Sequence, residues 1–195
     1  MADVIKAFLR RAFLAARVGM LAVVVAAPAG HARAAEDASA LEQQVKAAFL
    51  YKFAGYVDWP SAAFARPDTP LTIAVAGADA LAAELVQATS GRTVEGRSVV
   101  VKRVKPGDSL AGVHILFVGK GENDRLQQWV HAAQPQSVLT VSESDGALAK
   151  GSVINFVISE RRVRFEVALD SAEKSRLKLS SRLLAVAQQV RTGAQ

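Results

Sequence analysis

The chain has 195 residues, of which 24 are Lys or Arg, 18 are Asp or Glu and 51% are apolar, for a formal charge of +6. That length and apolar content suit one self-sufficient hydrophobic core and are short for two. Cysteine is absent, which excludes disulfides, thiolate metal sites, a cysteine nucleophile and a lipid-anchored cysteine at a cleavage site.

Much of the positive charge sits at the N-terminus. Lys6, Arg10, Arg11 and Arg17 precede an apolar run from Val18 to Ala27, and Pro28, Gly30 and the small-x-small triplet Ala32-Arg33-Ala34 follow. This is the composition of a cleaved secretory signal over residues 1–34. The apolar run is half of the roughly 20 residues that a membrane-spanning helix requires. Export would leave a domain over residues 35–195 with 19 basic and 17 acidic residues, a net +2. Those charges are scattered, as on a solvated surface, and form no basic stripe for nucleic acid.

Ser39-Ala40-Leu41-Glu42 reads as a capping box that opens a helix running to about Tyr56. Leu41, Val45, Phe49 and Phe53 recur every four residues, with Ala48 and Tyr56 beside them, and define its expected core stripe. Asp58-Trp59-Pro60 ends the helix, because proline holds the residue before it in an extended conformation. Tyr51 lies off the stripe and Trp59 beyond it, which makes both surface candidates.

Next come a strand at Leu71–Ala76, a turn at Gly77, a helix near Ala80–Thr89 and strands at Ser98–Val104 and Val113–Val118. A Gly119-Lys120-Gly121 turn, a helix near Glu122–Ala133 and a strand at Ser137–Val141 follow. This alternation predicts an α/β fold with parallel strand pairs, in a single domain. The turns at Gly77 and Gly119–Gly121 are expected to flank a shallow cleft at the strand ends.

The last third changes character. Val153–Ser159 and Arg162–Leu169 are strands separated by Glu160-Arg161, which implies a C-terminal antiparallel hairpin, although Glu-Arg is poor chemistry for a type I′ turn. In the predicted register Ile158 faces Val163, Phe156 faces Phe165 and Ile154 faces Val167, so all six apolar side chains share one side. The other side collects Asn155 opposite Glu166, with Arg164 and Arg162 alongside. Such a patch suits a carboxylate, a phosphate or a partner's loop, because the guanidinium fork binds oxyanions bidentately. Asp170 or Ser171 caps a short helix, and Ser180 or Ser181 leads a final one whose stripe is Leu183, Leu184, Ala187 and Val190.

Catalytic signatures are missing. Gly119-x-Gly121 lacks a third glycine, since Asp124 stands in its place, and Lys120 is not followed by Ser or Thr. Neither a dinucleotide fingerprint nor a phosphate loop results, and no cofactor is expected. His114 and His131 have no histidine at i+4, so no metal site is expected. Ser142, Ser144, Ser180 and Ser181 lack a nucleophile-elbow context. The chain is therefore not expected to be an enzyme.

The stretch AAFLYKFAGYVDWP (Ala47–Pro60), followed in order by HILFV (His114–Val118), VLTVSE (Val138–Glu143), INFV (Ile154–Val157), VRFEVAL (Val163–Leu169) and LKLSSRLLAVA (Leu177–Ala187), resembles the YfiR family of small periplasmic bacterial proteins. The resemblance covers about Val45–Val190. It implies a compact α/β domain, often dimeric, that represses an inner-membrane diguanylate cyclase, YfiN, by binding its periplasmic sensor domain. Such repression lowers cyclic di-GMP and biofilm growth. Cysteines, common in that family, are absent here, so thiol-based redox control is not available to this chain. Tyr51, Trp59, Arg164, Glu166, Lys178 and Ser181 fall inside the shared motifs and are polar or amphipathic, so with Asn155 they are the candidate partner- or ligand-binding residues. The alternative expectation is a binding module for an amino acid or nucleotide-like anion, with a pocket lined by Arg164, Glu166 and Asn155.

Overall fold

Apolar segments of four to six residues without alternation, such as Ile115–Val118, must be covered on both faces, and the architecture follows from that. The computed structural model describes residues 29–193, and side chains from Glu36 to Gly193. The helices are α1 (Ala29–Ala54), α2 (Asp79–Thr89), α3 (Leu126–Ala133), α4 (Leu169–Lys174) and α5 (Ser181–Ala185). The strands are β1 (Val57–Asp58), β2 (Leu71–Ala76), β3 (Thr93–Val94), β4 (Arg97–Arg103), β5 (Ile115–Val118), β6 (Leu139–Ser142), β7 (Ile154–Ser159), β8 (Arg162–Ala168), β9 (Lys178–Leu179) and β10 (Gln189–Arg191). Eight strands form one mixed sheet in the order β10-β8-β7-β6-β5-β2-β4-β3, and β1 pairs with β9 separately. The α/β class and the single compact domain agree with the sequence reading.

Alternation along the buried strands divides the core in two. Ile73 and Val75 of β2, Ile115 and Phe117 of β5 and Val141 of β6 pack with α1 and α2. Ala74, Ala76, Leu116 and Val118 pack on the opposite face with Leu126, Trp129 and Val130 of α3. The hairpin β7–β8 has the predicted register throughout, from Ile154↔Val167 to Ser159↔Arg162. Phe156 and Phe165 meet Phe49 and Phe53 of α1 at centroid separations of 5.0–6.0 Å.

Several expectations are corrected. Helix α1 passes through Ser39 instead of starting there, and its buried row is Lys46, Ala47, Leu50, Phe53 and Ala54. Leu41, first in the expected stripe, is 61% exposed. The stripe is rotated because the helix seats Lys46 between two carboxylates. The final helix stops at Ala185, and Val190 lies in β10, parallel to β8 with Val190 opposite Val167. The exposed edge of β8 is the reason: Gln188 N–H donates to Phe165 O at 2.8 Å and carries the chain onto it. Ser180, not Ser181, caps α5, accepting from Leu183 N–H at 3.3 Å. Three two-residue strands, β1, β3 and β9, gave no periodic signal to read.

The expected cleft between the Gly77 and Gly119–Gly121 turns is filled. Gly77 has φ +65°, and a methyl group there would lie 2.8 Å from Glu122 Cγ; one on Gly119 would lie 2.6 Å from Gly77 O. The glycines let the two turns interlock. The signal segment falls in residues 1–34, most of which lie outside the described residues.

Glu160 and Arg161 both have positive φ, 50° and 60°, so the hairpin closes through a two-residue I′ turn despite its unfavourable residues. Replacing Glu160-Arg161 with Asn-Gly should stabilise the domain by about 1–2 kcal/mol, read as a higher denaturant midpoint with an unchanged slope.

Candidate functional site

Glu42 and Lys46 stand one turn apart on α1, an i,i+4 pair. The Lys46 side chain is only 2% exposed, and an ammonium so placed needs charged partners. It has two: its Nζ donates to Glu42 and to Glu143, the residue after β6. The other oxygen of Glu143 accepts from Lys120 N–H at 3.2 Å, in the turn after β5. One buried cation thus joins α1 to the ends of two adjacent parallel strands. Burial alone would lower the pKa of Lys46, but the hydrogen bonds and charges of Glu143 and Glu42 outweigh it and raise it above the ordinary lysine value.

This triad borders a cavity of about 600 Å³ whose other walls are Lys120, Asn123, Ser144, Asp145 and Phe156–Ile158. The polar side carries Lys46 and Lys120 together with the carboxylates of Glu42, Glu143 and Asp145. The opposite wall is apolar, with Ile158 56% exposed. Ser144 Oγ, beside the cavity, is buried without a hydrogen-bond partner among the described residues, as is Asn155 Oδ1. The arrangement suits binding of a small polar molecule with an apolar body. The sequence reading missed Lys46. The signal was present in the Glu42–Lys46 spacing, but the neighbouring aromatics drew the helix face toward Phe49.

The seven sequence-derived candidates do not converge. Arg164 is exposed, Glu166 half-buried and Asn155 buried at 4% exposure. All three lie on the face of β7–β8 away from Phe156 and Phe165, as alternation requires, but burial removes the amide from the open patch. None of them lines the cavity beside Lys46. Trp59, Lys178 and Ser181 belong to segments on the other side of the sheet. Lys178 stands opposite Asp58 in the β1–β9 pair, and Ser181 is exposed. Tyr51 is half-buried, donates to Thr93 O at 3.0 Å and has Arg92 5.5 Å from its ring centre.

Trp59 is tied to a buried histidine. Its Nε1–H donates to His114 O at 3.3 Å, and the His114 ring stacks on Phe64 at 4.2 Å. His114 Nδ1 accepts from Thr72 N–H at 3.1 Å, so Nε2 carries the proton and donates to Ala63 O at 3.1 Å. Both ring nitrogens are satisfied in the neutral form. Burial, first, and then the Arg97 charge lower its pKa below the usual histidine value, against the raising effect of the Ala63 bond. No cluster of three or more metal-binding side chains occurs among the described residues, and no described helix is long and apolar enough to cross a membrane.

Residues 43–188 match the profile of the YfiR/HmsC-like family, so the chain belongs to that family. No curated protein matches. Among solved structures, a conserved domain protein from Vibrio cholerae is similar at 10% identity and TM-score 0.48, over 62% of this chain and 54% of that one. A domain from Streptococcus pneumonia solved in complex with L-Trp is similar at 11% identity and TM-score 0.45, over 62% and 55%. This chain spans about half the length of each.

Two outcomes test these contacts. Lys46→Met should destabilise the domain by roughly 3 kcal/mol, because it leaves Glu42 and Glu143 facing each other without their cation. Adding Glu42→Gln and Glu143→Gln should recover much of that loss, as judged by urea unfolding. For His114 the folded pKa is depressed, so its contribution is complete above the unfolded value near 6.5 and falls as pH drops below it. The slope due to this one proton is at most about 1.4 kcal/mol per pH unit. His114→Gln, which keeps an acceptor and a donor, should flatten the fall in stability measured between neutral pH and pH 5.

Proposed function

We propose that this member of the YfiR/HmsC-like family is a periplasmic regulator that binds the periplasmic sensor domain of an inner-membrane diguanylate cyclase and represses it. Repression would lower cyclic di-GMP and biofilm formation. The observation that carries this reading is the extent of the family match, which runs from α1 past α5 and takes in nearly all of the described compact unit. The leader over residues 1–34 would deliver the domain to the periplasm and be removed there.

In this reading the protein works as a ligand of the membrane receptor. By binding one receptor conformation more tightly than another, it shifts their populations, and only differential affinity does so. The candidate contacts are the exposed Arg164 on the hairpin and Lys178 and Ser181 beside the small β1–β9 pair. Tyr51 and Trp59 contribute their half-buried rings, in keeping with the enrichment of Arg, Tyr and Trp in interfaces. Because the two groups lie on opposite sides of the sheet, a homodimer could present one to its own partner copy and the other to the receptor.

A second reading, binding of a small organic anion, draws on the cavity beside Lys46. Lys120 would supply the cation there, in place of the Arg164, Glu166 and Asn155 pocket expected from the sequence. The two readings are compatible, since an occupied cavity could alter affinity for the receptor.

The test is capture from detergent-solubilised membranes with the exported protein as bait. The expected result is recovery of a diguanylate cyclase, reduced severalfold by Arg164→Ala. Recovery unaffected by that substitution moves the interface to the Trp59, Lys178 and Ser181 side. Failure to recover a cyclase rejects repression by direct binding.

A further inference from the structure

We propose that residues 59–64 form an acid-opened flap: the neutral ring of His114 holds them against the sheet, and a proton on that ring releases them. The inference goes beyond the regulatory reading and does not depend on it.

Residues 59–70 join β1 to β2 and pair with no strand among the described residues. Two side chains tie this loop to the sheet. Arg97 of β4 holds its second half: Nη1 donates to Arg66 O at 3.1 Å and to Thr69 O at 2.9 Å. His114, just before β5, holds its first half. Its Nε2–H donates to Ala63 O at 3.1 Å, its ring stacks on Phe64 at 4.2 Å, and Trp59 meets that ring edge to face at 6.1 Å. Of the two ties, only the one through His114 rests on a group that titrates near neutral pH.

The slot around His114 fits one charge state. The residue is 1% exposed, and Thr72 N–H points at Nδ1 from 3.1 Å. A proton on Nδ1 would set two donors face to face and bury a cation without a counter-charge. Arg97, the charge that acts on the ring, is itself a cation. Arg66 and Asp68 of the loop are exposed and pair with each other at 3.2 Å. Asp58 of β1 is exposed opposite Lys178, and β2 and β6 bring Thr72 and Leu139, which carry no charge. A charged ring must therefore reach water. On the sheet side the backbone is fixed, since His114 N–H donates to Thr72 O at 2.9 Å and His114 O accepts from Leu139 N–H at 2.8 Å. On the other side lie Trp59, Ala63 and Phe64, all half-buried. Backbone bonds there run within the loop, from Ala63 N–H to Pro60 O and from Phe64 N–H to Ser61 O, so lifting this half breaks no sheet ladder. Nε2–H keeps Ala63 O as the ring moves outward, and Arg97 keeps the second half in place, so the opening stays local. It uncovers two aromatic rings of the kind that interfaces favour.

The test is an NMR titration of the isotope-labelled protein between neutral pH and pH 5. The expected result is one transition in which the Trp59 indole N–H and the amides of residues 61–64 shift and lose exchange protection. Its midpoint should match the titration of the His114 ring and lie below the usual histidine value of 6.5. The Trp129 indole and the β7–β8 amides should stay unchanged, and exposed His131 serves as the reference titration. His114→Gln, which keeps a donor and an acceptor but takes no proton, should leave Trp59 protected at pH 5, roughly tenfold or more above the wild type. Should that variant not fold, the match of the loop and ring midpoints in the wild type still decides. A ring that stays neutral to pH 5, a ring that titrates while the loop does not respond, unequal midpoints, opening that persists in His114→Gln, or loss of β7–β8 protection together with the loop would each overturn the proposal.

Discussion

Burying strands β2, β5 and β6 on both faces is the constraint from which the other features follow. Their segments are buried on both sides, down to Thr140 and Ser142 of β6, and the chain supplies α1 and α2 on one side and α3 on the other. The hairpin β7–β8 is different. It alternates, so it joins the sheet with Phe156, Phe165 and Val167 inward and Arg162 and Arg164 outward. Two-sided burial in the middle and one-sided burial toward the β8 edge give the domain a rigid centre and a polar flank.

Within that frame, Lys46 is the costliest side chain to place and the most informative. A leucine there would pack without a desolvation penalty. The ammonium instead depends on two carboxylates contributed by separate elements, and it forms only when α1 and the end of β6 are both in position. A pair of this kind favours a single seating of the helix, because sliding α1 by a residue would leave buried charges unpaired. The cavity next to it inherits that order: its polar groups are fixed by the same contacts that fix the helix.

Much of this was legible from the residues. The hairpin register could be written out because alternation with two phenylalanines, two isoleucines and two valines allows one solution. The parallel units were readable from apolar runs followed by glycine turns. The stripe of α1 was misread because a buried lysine breaks a rule that assigns faces by hydrophobicity, and the counter-ion that makes it tolerable lies 97 residues away. The C-terminal strand was read as helix because Leu183, Leu184, Ala187 and Val190 fit that period. The decisive influence, an open strand edge nearby, is tertiary. The interlocked glycines failed as a cleft signal for a related reason: glycine permits close approach as readily as it permits an opening, and only the partner turn decides which. Candidate site residues scattered for the opposite reason. A motif marks shared sequence, and sequence neighbours on successive strand positions point to opposite faces.

The short strand β10 makes the sheet's two ends unequal. The β8 edge is sealed by three exposed residues, Gln189–Arg191. Loss of this strand would leave the sheet with an unpaired border at each end, and three residues would then decide whether the β8 edge is closed or open to another strand.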